Sequence, residues 1–249
     1  MTTRSVSELV NSMLAGDKKS LAQLISMAEN ESPALPEIVG LLRTYQGKSY
    51  RIGITGPPGA GKSTLVDRLV IKIRDRGLSV GIIAVDPSSP ISGGAVLGDR
   101  VRMQQHYLDE GVFIRSMATR GSRGGLSNAV RAVVSLLDAF GLDIIIIETV
   151  GAGQTELGIT QIADIVVLVL VPESGDDIQA LKAGIVEVAD IIVVNKADRD
   201  GAERLVSEFK AALAYGHGGD EPSVITAQAI NNIGIEELYQ EIDKRRKSC

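Results

Sequence analysis

The chain has 249 residues and a formal net charge of −5, and it is 44% hydrophobic with no Trp and only 3% aromatics. That length suits one large α/β domain with a small appendage. An aliphatic, aromatic-poor core suits buried parallel strands under helices, and the acidic balance argues against nucleic acid as the main partner. A lone Cys249 excludes a disulfide framework or a thiolate metal cluster. Met1–Gly16 is too polar for a signal peptide, and apolar runs such as Ile144–Ile147 and Ile165–Val171 are too short to cross a bilayer, so a soluble, cytoplasmic protein without a membrane partner is expected.

Helical periodicity opens the chain, with Val6, Leu9, Val10, Met13 and Leu14, then Leu21, Leu24, Ile25 and Ala28, and, after Ser32-Pro33, Ile38, Leu41 and Leu42. Two or three short helices in residues 1–48 form a predicted N-terminal extension to a nucleotide domain at 49–249. Strands are predicted at 50–55, 79–85, 112–117, 143–148, 164–171, 190–195 and 223–226. Helices are predicted at 62–74, 99–108, 125–139, 156–163, 176–188, 201–213 and 234–246. This alternation is the rhythm of an α/β fold, an open and mostly parallel sheet of about seven strands with helices on both faces, whose ligands sit at the carboxyl ends of the strands.

The first strand runs into Gly56-Pro57-Pro58-Gly59-Ala60-Gly61-Lys62-Ser63, a complete GxxxxGK[ST] loop, and Thr64 continues into a helix. Glycines let backbone N–H groups wrap a phosphate, and the positive end of the helix points at the same anion. Lys62 can reach the β- and γ-phosphates, and the Ser63 hydroxyl can ligate Mg²⁺. A nucleoside triphosphate is the expected ligand. After the second strand, Asp86-Pro87-Ser88-Ser89-Pro90 and Gly93-Gly94-Ala95-Val96-Leu97-Gly98-Asp99-Arg100 form a polar connection. Asp86 and Asp99 are placed to approach Mg²⁺ or the attacking water, with helix capping the alternative for Asp99. Arg100, Arg102, Arg120 and Arg123 could supply charge to the transition state or lie solvated.

The strand Ile144–Ile147 ends in Glu148-Thr149-Val150-Gly151. Nucleotide hydrolases put the carboxylate that holds Mg²⁺ or its water shell at such a strand end. Glu148 could alternatively polarise the attacking water or simply cap the strand, and Gly151 offers a backbone N–H to the γ-phosphate. In small signalling GTPases a water-orienting Gln immediately follows that glycine. Here Ala152 follows and Gln154 lies two residues further, so slow intrinsic hydrolysis is expected. Asn195-Lys196-Ala197-Asp198 follows a later apolar strand. Asp198 can accept from both the ring N–H and the exocyclic amine of guanine, a pair that adenine lacks. Lys196 can lay its stem over the base, and Asn195 can tie this loop to the phosphate loop. The nucleotide is therefore expected to be GTP, with GDP as product. His106 and His217 lack partners at ligand spacing and read as packing or surface residues, and Lys244–Lys247 favours the end of a last helix.

Together, Gly56–Ser63, Asp86–Pro90, Gly93–Arg100, Glu148–Glu156 and Asn195–Asp198 closely resemble the MeaB/ArgK-type G-proteins, from about residue 5 to residue 240. The resemblance implies a GTPase that chaperones adenosylcobalamin-dependent acyl-CoA mutases, methylmalonyl-CoA mutase above all, with the mutase's adenosyltransferase as a further partner. It implies that Lys62 and Ser63 serve the phosphates and Mg²⁺, that Lys62, Asp99, Glu148 and Gly151 form the catalytic set with Asp86 beside the metal, and that Asn195 and Asp198 read guanine. Thr226 and Ala227 stand where GTPases often have Ser-Ala contacting the base. A switch reporting nucleotide state would span Pro172–Lys182, including Asp176, Asp177 and Gln179; from the residues alone, that segment is a polar loop entering a helix, and Lys182 could reach the site or lie on the helix surface. By the resemblance a homodimer is possible, but the helical C-terminal arm that builds it in the family is expected to be absent here, since the sequence stops at Cys249. A nickel-insertion metallochaperone GTPase, a kinase or transport-coupled ATPase, and a nucleotide-binding module without useful turnover are the alternatives.

Overall fold

The structure, a computed structural model, describes residues 4–45, 47–86, 103–118, 128–149, 158–175, 186–214 and 221–248. Its centre is a seven-stranded sheet built from β1 (Tyr50–Thr55), β2 (Val80–Asp86), β3 (Val112–Ala118), β4 (Ile144–Thr149), β5 (Ile165–Leu170), β6 (Ile191–Val194) and β7 (Ser223–Thr226). The spatial order is β3-β2-β4-β1-β5-β6-β7, and every pairing is parallel. β4 and β5 are buried at every position. Alternate side chains of a strand point to opposite faces, so strands covered on both sides need uninterrupted runs such as Ile144–Ile147.

One face is covered by α4 (Lys62–Asp75) and the C-terminal helix α7 (Ile235–Arg246). Leu65, Leu69 and Ile73 of α4 and Leu238 and Ile242 of α7 pack there on Ile52, Ile54, Ile144, Ile146 and Val167. On the other face, α5 (Asn128–Phe140) lies over Ile83, Val85, Ile145 and Ile147, and α6 (Ala202–Ala214) covers Leu168, Leu170, Ile192 and Val194. Three N-terminal helices, α1 (Val6–Leu14), α2 (Lys18–Glu29) and α3 (Leu35–Leu42), pack against α5 and share its core through Met13, Leu21, Leu24, Ile25 and Ile38. Ser5 and Glu8 form a reciprocal capping box that starts α1, and the Asp17 carboxylate caps α2. Arg115 of β3 bonds Glu29 and Ser26 of α2, fastening the helical group to the sheet edge.

The predicted strands and the helices α4 to α7 fall within about one to three residues of their expected limits. The predicted helix at 99–108 differs: among its described residues, Gln104–His106 form a single 3-10 turn. Gln105 and His106, adjacent in sequence, both reach the Asp67 carboxylate, at 2.7 and 3.0 Å. Adjacent residues of an α-helix project to different faces, so this shared partner suits the tighter turn. Likewise, the described parts of the predicted helices at 156–163 and 176–188 contain 3-10 turns at Ile159–Gln161 and Val186–Val188. Among the described residues no helix is long and apolar enough to cross a membrane.

Candidate functional site

The order of the sheet puts β1 at its centre, with β4 on one side and β5 on the other. The loop leaving β1 therefore opens at the carboxyl edge, between the ends of β4 and β5, where ligands of such sheets bind. Gly56 starts this loop with φ +140°, and a Cβ there would overlap the Val169 carbonyl oxygen of β5. Gly61 closes it with φ +88°, against the Asn195 amide. Both positions need glycine, because the backbone is left-handed and a neighbour fills the space a side chain would take. Gly61 is also the N-cap of α4 and provides no side-chain cap, and the N-terminus of a helix directs its N–H groups and positive dipole end toward an anion. Pro57 and Ala60 are buried, whereas Pro58 and Gly59 form the exposed tip and Thr64 is half-buried.

Lys62 is buried and its ammonium donates to the carbonyls of Gly56 at 2.8 Å and Pro57 at 3.0 Å. The cation is thus folded over the loop it belongs to, where a phosphate would exchange neutral acceptors for charged ones. Ser63 donates from Oγ to Glu148 Oε1 at 2.7 Å, and both residues are buried. A hydroxyl and a carboxylate held together beside a phosphate loop are hard oxygen donors, a set that fits Mg²⁺.

On the other side, Asn195 follows β6 and joins three segments. Its Nδ2 donates to the Ala60 carbonyl at 2.8 Å, and its Oδ1 accepts from the Ala229 N–H at 3.0 Å. Ala227 is buried just past Thr226, the end of β7, and its N–H donates to Val194 at 2.8 Å while its carbonyl accepts from Ala197 at 3.0 Å. The Asn195–Asp198 and Thr226–Ala227 loops therefore form one unit against the phosphate loop. Lys196 takes a left-handed φ of 56°, unusual for a residue with a side chain. Asp198 is exposed at the rim. Pro172 opens a 3-10 turn, Pro172–Gly175, directly after β5, and Glu173 forms an ion pair with Arg199, the neighbour of Asp198. The guanidinium of Arg199 holds the Glu173 carboxyl below its usual range.

Asp99, Gly151, Gln154, Asp176, Asp177, Gln179 and Lys182 lie outside the described residues, as do Arg100, Arg102, Arg120, Arg123 and His217; Asp86 is described only by its backbone, at the end of β2. His106 is a buried packing residue against Asp67. The bond from the Ala229 backbone to Asn195 has no counterpart in the sequence pattern, since any residue type carries an N–H; the only signal was that Thr226-Ala227 lies just before it.

Residues 21–249 match the family model of the Methylmalonyl Co-A mutase-associated GTPase MeaB. A protein of Pyrococcus abyssi named as a GTPase is 49% identical over 247 residues, covering 97% of this chain and 76% of its own. GTPase ArgK of Escherichia coli is 36% identical over 248 residues, covering 96% of this chain and 75% of its own. The mitochondrial methylmalonic aciduria type A homolog of Mus musculus is 36% identical over 256 residues, 95% of this chain and 62% of its own. Among solved structures, a LAO/AO transport system kinase superposes with a TM-score of 0.79 at 29% identity, over 99% of this chain and 76% of that one. HypB from Helicobacter pylori, solved with nickel, shares the fold with a TM-score of 0.58 at 18% identity, over 86% of this chain and 95% of that one.

Proposed function

Because the chain belongs to the family of methylmalonyl-CoA mutase-associated GTPases and is itself a GTPase, we propose that its hydrolysis of GTP gates cofactor loading or protection of an adenosylcobalamin-dependent acyl-CoA mutase in the cytoplasm. In this reading the 56–63 loop and the start of α4 cradle the phosphates, with Lys62 compensating their charge. Ser63 and Glu148, with Asp86 and Asp99, are the residues that would hold Mg²⁺. When bound, that ion neutralises charge developing on the phosphate oxygens. Glu148 accepts a hydrogen bond from Ser63 and is the acid we assign to orienting the attacking water, with Gly151 assigned the role of γ-phosphate donor. Asp198 reads the guanine edge and Lys196 covers its face, supported by Asn195, Thr226 and Ala227.

The observation that carries the partner half of this reading is the Glu173–Arg199 ion pair, which connects the turn opening the 172–182 segment to the loop that bears Asp198. We assign to the 172–182 segment, which follows the strand (β5) that Gly56 of the phosphate loop packs against, the sensing of the γ-phosphate that GTP has and GDP lacks, and only such differential contacts can shift a conformational equilibrium. A mutase gripping that segment, through Asp176, Asp177, Gln179 and Lys182, must then bind the two states unequally and change nucleotide affinity in return. The test mixes the purified chain with the cobalamin-dependent acyl-CoA mutase of the same organism. Faster GTP hydrolysis and different affinities for the GTP-analogue and GDP forms are expected, with Lys182→Ala weakening this coupling more than GTP binding. An unchanged rate and affinity would sink the chaperone reading and leave the GTPase standing. The nickel-insertion and kinase alternatives answer to nickel titration and to ATP competition, respectively.

A further inference from the structure

In the pairing of β1 with β4, Ile54 stands opposite Glu148. The next residue on each strand is a threonine: Thr55 directly precedes Gly56 of the phosphate loop, and Thr149 directly follows Glu148. Thr149 Oγ1 donates to Thr55 Oγ1 at 2.9 Å, and the two residues are 1% and 0% exposed. Strand alternation puts Thr149 on the face of Ile145 and Ile147, covered by α5, while Glu148 shares the α4 face with Ile144 and Ile146. Every other inward position of β4 on the α5 face carries isoleucine. A hydroxyl buried among such residues costs free energy unless it is hydrogen-bonded, and here the two hydroxyls bond each other.

We propose that Thr149, with Thr55 as its partner, is a positioning residue for GTP hydrolysis: the hydroxyl pair fixes the lateral spacing between the entry to the phosphate loop and Glu148. The inference rests on the reading of Glu148 as the acid that orients water. Two hydroxyl oxygens meet at 2.9 Å, whereas methyl groups in contact stop at about 4 Å. Ile54 and Glu148 form the last rung of the β1–β4 ladder. Past it, an apolar pair of the same shape can part the ends leading to Gly56 and away from Glu148 by up to roughly 1 Å, and a misplacement of about that size can cost on the order of 10²-fold in rate. The same replacement leaves no hydroxyl unpaired, so it disturbs stability much less than losing one partner.

The test compares Thr55→Val/Thr149→Val, Thr149→Ser, Thr149→Ala and Glu148→Gln in kcat, KM, GDP affinity and melting temperature. The double valine variant is expected to fold and bind GDP like the parent while kcat falls roughly 10- to 100-fold with little change in KM. Thr149→Ser, which keeps the hydroxyl, is expected to restore turnover, and Thr149→Ala is not. Wild-type kcat in the double valine variant overturns the proposal, and so does a serine variant as slow as the alanine one. If the double variant does not fold, the serine and alanine variants decide: equal kcat overturns the proposal, and a serine rate well above the alanine rate at equal GDP affinity supports it. An unimpaired Glu148→Gln overturns the reading of Glu148 and this inference with it, whereas an impaired Glu148→Gln beside an unimpaired double valine variant overturns this inference alone.

Discussion

Ser63, in the first turn of α4, donates a 2.7 Å hydrogen bond to Glu148, which lies 85 residues later at the end of β4. The contact joins the phosphate-loop helix to the strand end that carries Glu148, the acid we assign to hydrolysis, and it spans the place we propose for Mg²⁺. Ser63→Ala removes one oxygen donor of that cation and the group that orients the Glu148 carboxylate. Turnover should fall by about 10²- to 10³-fold, the usual loss on deleting a preorganised polar group in an active site. The Mg²⁺ concentration giving half-maximal rate should rise as well. A Mg²⁺ titration of GTPase activity measures both, and an unmoved midpoint with an intact rate would remove Ser63 from the metal site.

We assign base choice to Asp198, exposed at the rim of the unit formed by Asn195–Asp198 and Thr226–Ala227. A carboxylate set to accept two hydrogen bonds from guanine is left underpaired by adenine, and sites of this type discriminate by as much as about 10⁴-fold. Asp198→Asn should weaken GTP binding and shift preference toward xanthine nucleotides, whose ring carbonyl can accept from the amide. Competition of GTP, ATP and XTP for the GDP-loaded protein reads the order directly. Equal competition by ATP in the parent protein would remove the guanine assignment.

Asn195 spends its amide on Ala60 and its carbonyl on Ala229, at 2.8 and 3.0 Å. Asn195→Ala leaves both backbone groups without these bonds in a buried place, a cost of about 1–3 kcal/mol. Nucleotide affinity should drop roughly 10- to 100-fold, since 1.4 kcal/mol is a factor of ten, because the phosphate and base loops lose their shared anchor. Asn195→Asp should be worse, since a carboxylate oxygen would face the Ala60 carbonyl. Titration with a fluorescent GDP analogue tests this, and an Asp variant that binds better than Ala would show that the Ala60 contact does not matter.

Much of this was legible in the sequence wherever local chemistry decides the outcome. Gly56–Ser63 announces itself because a left-handed backbone and a filled neighbouring space leave no alternative to glycine at Gly56 and Gly61. Ile144–Ile147 reads as a doubly buried strand because both its faces must be apolar. What the sequence did not reveal is what depends on distant partners. The 3-10 turn at Gln104–His106 arises where Asp67, 38 and 39 residues away, draws in two adjacent side chains. The use of Asn195 Oδ1 by the Ala229 backbone leaves no mark on residue type. Nor did helical periodicity in residues 5–46 tell that α1 to α3 would share the core of α5, since an amphipathic stripe names an apolar face without naming what covers it.

Asp138 of α5 holds the chain where it enters β1. Its carboxylate accepts from the backbone N–H groups of Gly47 at 2.7 Å, Lys48 at 3.1 Å and Ser49 at 2.9 Å. Burial pushes its pKa up, yet the N–H bonds from Gly47, Ser49 and Lys48 outweigh burial and hold the carboxyl below its usual range. A carboxylate whose pKa is depressed by folding stabilises the fold above its unfolded pKa, near 3.9, and loses that contribution as pH falls through the lower folded value. Asp138→Asn keeps one carbonyl acceptor and removes the charge, so it should destabilise by about 1–3 kcal/mol at neutral pH. Between about pH 5 and 8 the difference from the parent should be level, and below about pH 4 it should shrink as the parent carboxyl becomes protonated. Urea unfolding of both proteins at pH 7, 5 and 3.5 gives the comparison. A difference that stays constant or widens in acid would mean that Asp138 contributes by shape and not by charge.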